Sequence, residues 1–225
     1  DRRGEAFMWT PNLRCQPVDP DVNATILNPA RTQYNVCVIA VPGMFEGKPA
    51  LISAYQWCDR DWLVILSWMI GTCAKQVEFR DNGVHPLYAA VGSPQTGSLG
   101  TTFTRALSRN GEQLIRLEYT PEEMIEASEM SFFTSAFPLL SERHIPDFNV
   151  PATGKPLVHD LTQMLLEDGN AQNFMRGPAT LDFNAFADNE ELGPLQPTEV
   201  LGGYRWQTSW VMPGIKVAHD YLKDA

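Results

Sequence analysis

The chain has 225 residues, 44% of them hydrophobic and 20% charged, which supplies a packed core and excludes wholesale disorder. Lysine and arginine total 17 against 27 aspartates and glutamates, and the formal charge of −10 repels phosphate backbones and argues against a dedicated nucleic-acid reader. Seventeen prolines and 16 glycines punctuate the whole length, leaving little room for long helices and pointing to strands and loops.

Residues 1–33 hold only scattered apolar anchors, Phe7, Met8, Trp9 and Leu13, and are predicted to form an extended N-terminal arm of a single domain spanning 1–225. Tyr34 to Val41 is the clearest strand, β-branched, apolar enough for burial on both faces, and expected to end at Pro42-Gly43. Pro49 to Trp57 is a second strand candidate. Trp62 to Ile70 is predicted as a short helix, with an N-cap from Asp59-Arg60-Asp61 and Gly71 just past its end. At nine residues this run is too short to span a membrane. Lys75 to Arg80 alternates as a half-buried strand, and Leu87 to Val91 is another, followed by a loop from Gly92 to Gly100.

Thr101–Leu107 and Leu114–Tyr119 bracket Asn110-Gly111, the strongest hairpin signal in the chain. Pro121 to Met130 opens with proline and two glutamates and is expected to be helical. Residues 131–160, with four prolines, read as a long loop, and His159–Glu167 as a helical turn or two. Leu181–Phe186 and Gly203–Met212 complete the strands around an acidic turn at 188–197. The fold class expected is all-β: an eight-stranded jelly-roll β-sandwich with two or three short helices.

Chemistry-bearing motifs are sparse. None of the four histidines stands in an H-E-x-x-H arrangement, and the four cysteines form no C-x-x-C pair, so no metal site is expected. Cys37 and Cys73 sit in apolar contexts and are expected as buried thiols of a reducing compartment. Asn23-Ala24-Thr25 matches a glycosylation triplet without other signs of secretion. His159-Asp160, with Asp168 downstream, is the nearest approach to a triad. Gly92-Ser93-Pro94 puts proline where a nucleophile elbow needs an N–H. Glu122, Glu123, Glu126 and Glu129 read as one solvated helix face, and Asp188, Glu190 and Glu191 lack the calcium-loop pattern. No catalytic residue and no cofactor-binding residue emerges. Trp9, Trp62 and Trp68 are the candidates for core or interface packing.

Ala54 to Arg80, with its aromatic and leucine-rich helix running into a strand, resembles the central part of capsid proteins of picornavirus-like RNA viruses. Glu112–Pro121 and Leu181–Leu192 are similar to that family's late strand and to its strand giving way to an acidic turn, and Gly4-Glu5 adds a short match. The resemblance implies a non-enzymatic, jelly-roll subunit of an icosahedral shell, cut from a polyprotein, which would account for a start at Asp1 without methionine. It implies other capsid subunits as partners, the RNA genome only indirectly, a host receptor, and a place in the virion after assembly in the host cytoplasm. A carbohydrate- or peptide-binding jelly roll using Trp57, Trp206 or Trp210 is the alternative. A small hydrolase around His159 is the third reading.

Overall fold

The structure is a computed structural model that describes residues 4–15, 33–81, 99–130, 138–147, 149, 154–184 and 192–224. The expected strand at 87–91, most of the loop at 92–100, the triplet Asn23-Ala24-Thr25 and the acids Asp188, Glu190 and Glu191 lie outside the described residues. In chain order the strands are β1 (Phe7–Trp9), β2 (Asn12–Arg14), β3 (Gln33–Phe45), β4 (Lys48–Cys58), β5 (Ala74–Gln76), β6 (Glu78–Asp81), β7 (Phe103–Arg109), β8 (Glu112–Tyr119), β9 (Glu123–Met124), β10 (Leu139–Pro146), β11 (Pro156–Gly177), β12 (Ala179–Phe183) and β13 (Gly203–Asp220). A helix, α1 (Asp61–Ile70), and short 3-10 turns complete the described elements. Among the described residues the protein is mostly β, with one α-helix and two sheets. The chain divides into two compact units, one of Asp1–Gln76, Ala136–Asp168 and Trp210–Ala225, the other of Val77–Ser135 and Gly169–Ser209.

The first unit is built on β3, whose run from Val36 to Ala40 is buried at every position. Strand β3 continues through Pro42-Gly43 to Phe45 and turns at Glu46-Gly47 into β4, which it pairs antiparallel. Strands β1 and β2 pair with β3, so part of the segment read as an arm is sheet. Strand β4 pairs parallel with both β5 and β10. Two parallel pairs on one strand are foreign to the antiparallel meander of a jelly roll, so that finer expectation is corrected. The proline-rich stretch read as a loop holds β10 and the start of β11, paired antiparallel from Leu139↔Met164 to Pro146↔Pro156. The helical turn expected at His159–Glu167 is therefore strand.

Helix α1 begins at Asp61, whose Oδ1 accepts from the Trp62 N–H, and ends at Gly71 in the left-handed region (φ 97°). A Cβ on Gly71 would meet Thr162 Oγ1 at 2.9 Å and Arg143 Cβ at 3.1 Å, so both dihedral and space demand glycine. That closeness clamps the helix end. Arg143 donates to Asp160 through Nε (3.0 Å) and Nη2 (2.6 Å) and, from Nη1, to the Met69 carbonyl at 2.9 Å. Thr162 Oγ1 donates to the Ile70 carbonyl at 2.7 Å. The cation and hydroxyl thus satisfy carbonyls that a helix C-terminus leaves orphaned. Only Leu63 and Ser67 of the helix are fully buried, while Ile65, Leu66, Trp68 and Met69 are exposed. Trp62 lies edge-on to Tyr34 at 5.5 Å, and Trp68 donates from Nε1 to the Ala74 carbonyl at 2.9 Å. Trp9, in β1, is half-buried.

In the second unit the sheet order is β12-β8-β7-β6, all antiparallel. The turn Asn110-Gly111, with φ of 53° and 82°, closes the β7–β8 hairpin at the expected place. The helix expected over 121–130 is instead the two-residue β9 and a 3-10 turn at Ala127–Met130, because Glu123 and Met124 pair with Arg176 and Met175 of β11. Sheet pairing overrides a weak helical signal there. The strand expected over Lys75–Arg80 breaks at Val77 into β5 and β6.

All four cysteines are thiols, Cys37 and Cys58 buried and Cys15 and Cys73 exposed, so the expected burial of Cys73 is corrected. Burial pushes the Cys58 thiol up to about 11, against a lowering contribution from the Arg60 backbone. Labelling of the native protein with a thiol reagent is expected to modify Cys73, with Cys37 and Cys58 reacting only after unfolding, as mass spectrometry of the labelled peptides will show. Replacing Asp160 with alanine strands the largely buried Arg143 guanidinium and is expected to cost about 3–5 kcal/mol in urea unfolding. Trp68→Ala, at a 49% exposed position, should cost much less than Trp62→Ala.

Candidate active site

Strand pairing puts Phe79 and Asp81 of β6, Phe103, Arg105 and Leu107 of β7, Ile115, Leu117 and Tyr119 of β8, and Leu181 and Phe183 of β12 on one face of the four-stranded sheet. Leu107 and Ile115 are completely buried on it. Two cations meet this apolar face. Arg105, with 14% of its side chain exposed, is neutralised by Asp81 at 2.5 Å and lies 5.6 Å over the Phe79 ring.

The other cation is Arg205 of β13. Its guanidinium carbon stands 4.2 Å over the Phe103 ring, and Phe103 stacks on Tyr119 with centroids 6.5 Å apart. Nη1 of Arg205 and the hydroxyl of Tyr119 are both buried, and neither has a hydrogen-bond partner among the described residues. The indole nitrogens of Trp57 and Trp62 share that condition, but they are neutral, single donors. An ionised donor is the expensive case, because its solvation is lost without repayment. Burial lowers the Arg205 pKa and the neighbouring Arg105 charge adds to that, while Tyr119 opposes it. Burial raises the Tyr119 pKa well above the ordinary tyrosine value, against the pull of Arg205, so the phenol stays protonated and can donate. Strand β13 can pass over the tyrosine because it begins with glycine: a Cβ on Gly203 would come within 2.5 Å of Tyr119 Cδ2 and 2.8 Å of Ala179 Cβ. An arginine with no counter-ion among the described residues, beside a protonated phenol on an aromatic floor, has the chemistry to hold a small anion.

A second cluster belongs to the first unit. The rings of His144, His159, Tyr221 and His219 follow one another at 5.1, 4.7 and 4.7 Å. His159 Nε2 lies 2.8 Å from Glu142, and His219 Nε2 lies 2.6 Å from Asp224. No metal-binding group of three histidine, cysteine or acidic residues occurs among the described residues. His159 and Asp160 do not work together: Asp160 holds Arg143 while His159 meets Glu142. The hydrolase reading loses its site through this strand alternation. The glutamates read as one solvated helix face are exposed but lie on no α-helix, with Glu123 at 2.6 Å and Glu129 at 3.8 Å from Arg176.

The model of the acetoacetate decarboxylase (ADC) family matches residues 17–222. The chain belongs to the acetoacetate decarboxylase family. An acetoacetate decarboxylase-like enzyme from Sphingomonas wittichii RW1 is similar in fold, with 20% identity and a TM-score of 0.75 over 96% of this chain and 91% of that one. The enduracididine biosynthesis enzyme MppR complexed with pyruvate follows at 20% identity and a TM-score of 0.71, over 89% of this chain and 72% of that one. Acetoacetate decarboxylase from Legionella pneumophila subsp. pneumophila str. Philadelphia 1 gives 17% identity and a TM-score of 0.69, over 84% and 68% of the two chains. No curated protein sequence matches. The family match overturns the capsid resemblance and, with it, the expectation of a non-enzymatic shell protein, of capsid subunits as partners and of a place in the virion. A helix running into a strand between turns, as at 54–80, is too general an arrangement to separate the two families. No described helix is long and apolar enough to cross a membrane.

Arg205 and Tyr119 were not singled out by the sequence reading. The available signal was an arginine set among aromatic residues in Gly203–Met212, with Tyr204 and Trp206 on either side. Two measurements check the site. In alkaline spectrophotometric titration, Tyr119 should ionise only well above the ordinary tyrosine value of about 10. Its raised pKa means that the stability it contributes is present below that pH and is lost as pH rises further. Gly203→Ala should displace the Tyr119 ring and weaken anion binding while Gly111→Ala leaves binding intact.

Proposed function

We propose that the chain binds and turns over a small oxo acid, in a decarboxylation or aldol-type reaction. The observation that carries this is the buried Nη1 of Arg205 beside the Tyr119 hydroxyl, both without a hydrogen-bond partner among the described residues. A carboxylate satisfies the guanidinium, and a ketone oxygen next to it accepts from the phenol. Oxo acids carry both groups a few ångströms apart. Family membership supports the same chemistry, and among the similar structures MppR was captured with pyruvate and with the condensation product of pyruvate and imidazole 4-carboxaldehyde. The chain's overall charge of −10 repels anions, so uptake depends on this local positive site rather than on long-range attraction.

Calorimetric titration with pyruvate tests the reading. The wild type should bind pyruvate and not acetone, which lacks the carboxylate. Arg205→Gln should weaken pyruvate binding about 10- to 100-fold, the equivalent of one charged hydrogen bond. Equal affinity of the two proteins for pyruvate would remove Arg205 from the site.

A further inference from the structure

Acetoacetate decarboxylase is the standard case of a lysine amine activated by desolvation or a neighbouring cation, so that it attacks a ketone and forms an imine. That chemistry needs an amine that is neutral near pH 7, and so a buried or positively surrounded one. This chain has five lysines, Lys48, Lys75, Lys155, Lys216 and Lys223, and all five are exposed. Lys223 stands 3.1 Å from the Asp220 carboxylate, a partner of the sign that keeps an amine protonated. In β5 the side chains alternate so that Ala74 is 1% exposed and Lys75 faces solvent. The unit that contains Arg205 and Tyr119, residues 77–135 and 169–209, contains no lysine in its sequence.

Resting on the oxo-acid reading above, we infer that turnover in this chain forms no lysine imine, and that Tyr119 and Arg205 stabilise an enolate directly. For a 3-oxo acid the bond between the α-carbon and the carboxylate breaks and CO2 leaves. Its electron pair becomes the carbon–carbon double bond, and the ketone π pair moves onto oxygen. CO2 leaves neutral, so the negative charge of the carboxylate passes to the enolate oxygen and the site keeps one negative charge beside Arg205 throughout. The Tyr119 O–H bond to that oxygen strengthens as charge develops, which is the differential interaction that catalysis requires. Water then protonates the α-carbon and the ketone re-forms. No bond to nitrogen is made, and no water is expelled or consumed in making or hydrolysing an imine. For a 2-oxo acid such as pyruvate, the same two donors hold the enolate that forms when a methyl proton is lost to solvent base.

The test uses the intact chain with acetoacetate and pyruvate as probes. Acetoacetate decarboxylation and exchange of the pyruvate methyl protons in D2O are followed by NMR, and intact mass is read after sodium borohydride treatment with each probe. Expected are turnover or exchange, an unchanged intact mass, no effect of Lys75→Arg, and a fall in kcat of about 10²- to 10³-fold in Tyr119→Phe. Tyr119→Phe removes a hydroxyl that has no partner among the described residues, so it should fold at least as well as wild type, and a loss of rate with unchanged melting cannot be put down to misfolding. A stable mass increase after borohydride, or lost turnover in Lys75→Arg, overturns the enolate inference and leaves oxo-acid binding standing. Binding without turnover or exchange of either probe also overturns it alone. Failure of the wild type to bind either probe overturns both readings.

Discussion

Arg205 carries a buried nitrogen with no hydrogen-bond partner and no counter-charge among the described residues, and the other features of the second unit take their meaning from it. The sheet face around it is built from Phe79, Phe103, Leu107, Ile115, Leu117, Leu181 and Phe183, which offers dispersion and a ring quadrupole but no negative charge. Asp81 is spent on Arg105. An uncompensated guanidinium in such surroundings is costly to hold, and proteins retain such costs where function requires them. The neighbouring Tyr119 hydroxyl is in the same state, so the two unmet demands are one site and not two accidents.

The contrast with Arg143 shows what a structural arginine looks like in this chain. Arg143 has 19% of its side chain exposed, and each of its nitrogens is used: a bidentate grip on Asp160 and a bond to the carbonyl at the end of α1. That arrangement fixes the helix, and Gly71 lets the helix end approach it. One arginine is satisfied by the protein and holds a fold element. The other has a nitrogen that none of the described residues satisfies.

Much of the secondary structure was legible in the sequence because it is local. The β-branched run of β3, the Asn110-Gly111 hairpin and the helix stopped by Gly71 each carry their own signal within a few residues. The parallel pairings of β4 with β5 and β10 join segments separated by other elements, and no residue type announces them. The proline-rich stretch up to 160 reads as loop and 159–167 as a helical turn, and the last strand is expected to end at Met212, whereas β11 runs from Pro156 to Gly177 and β13 on to Asp220. The site was illegible for a related reason. Tyr119 and Arg205 lie far apart in sequence, and neither belongs to a short motif. Only the burial of both polar atoms without partners marks them. The capsid resemblance rested on element order, which many β-rich chains share.

A crystal structure of the protein with bound pyruvate tests the central claim most directly. The account requires a pyruvate carboxylate oxygen within hydrogen-bonding distance of Arg205 Nη1 and the ketone oxygen within reach of the Tyr119 hydroxyl. An Arg205 guanidinium paired instead with an acidic side chain of the protein, and pyruvate bound elsewhere or not at all, would contradict it.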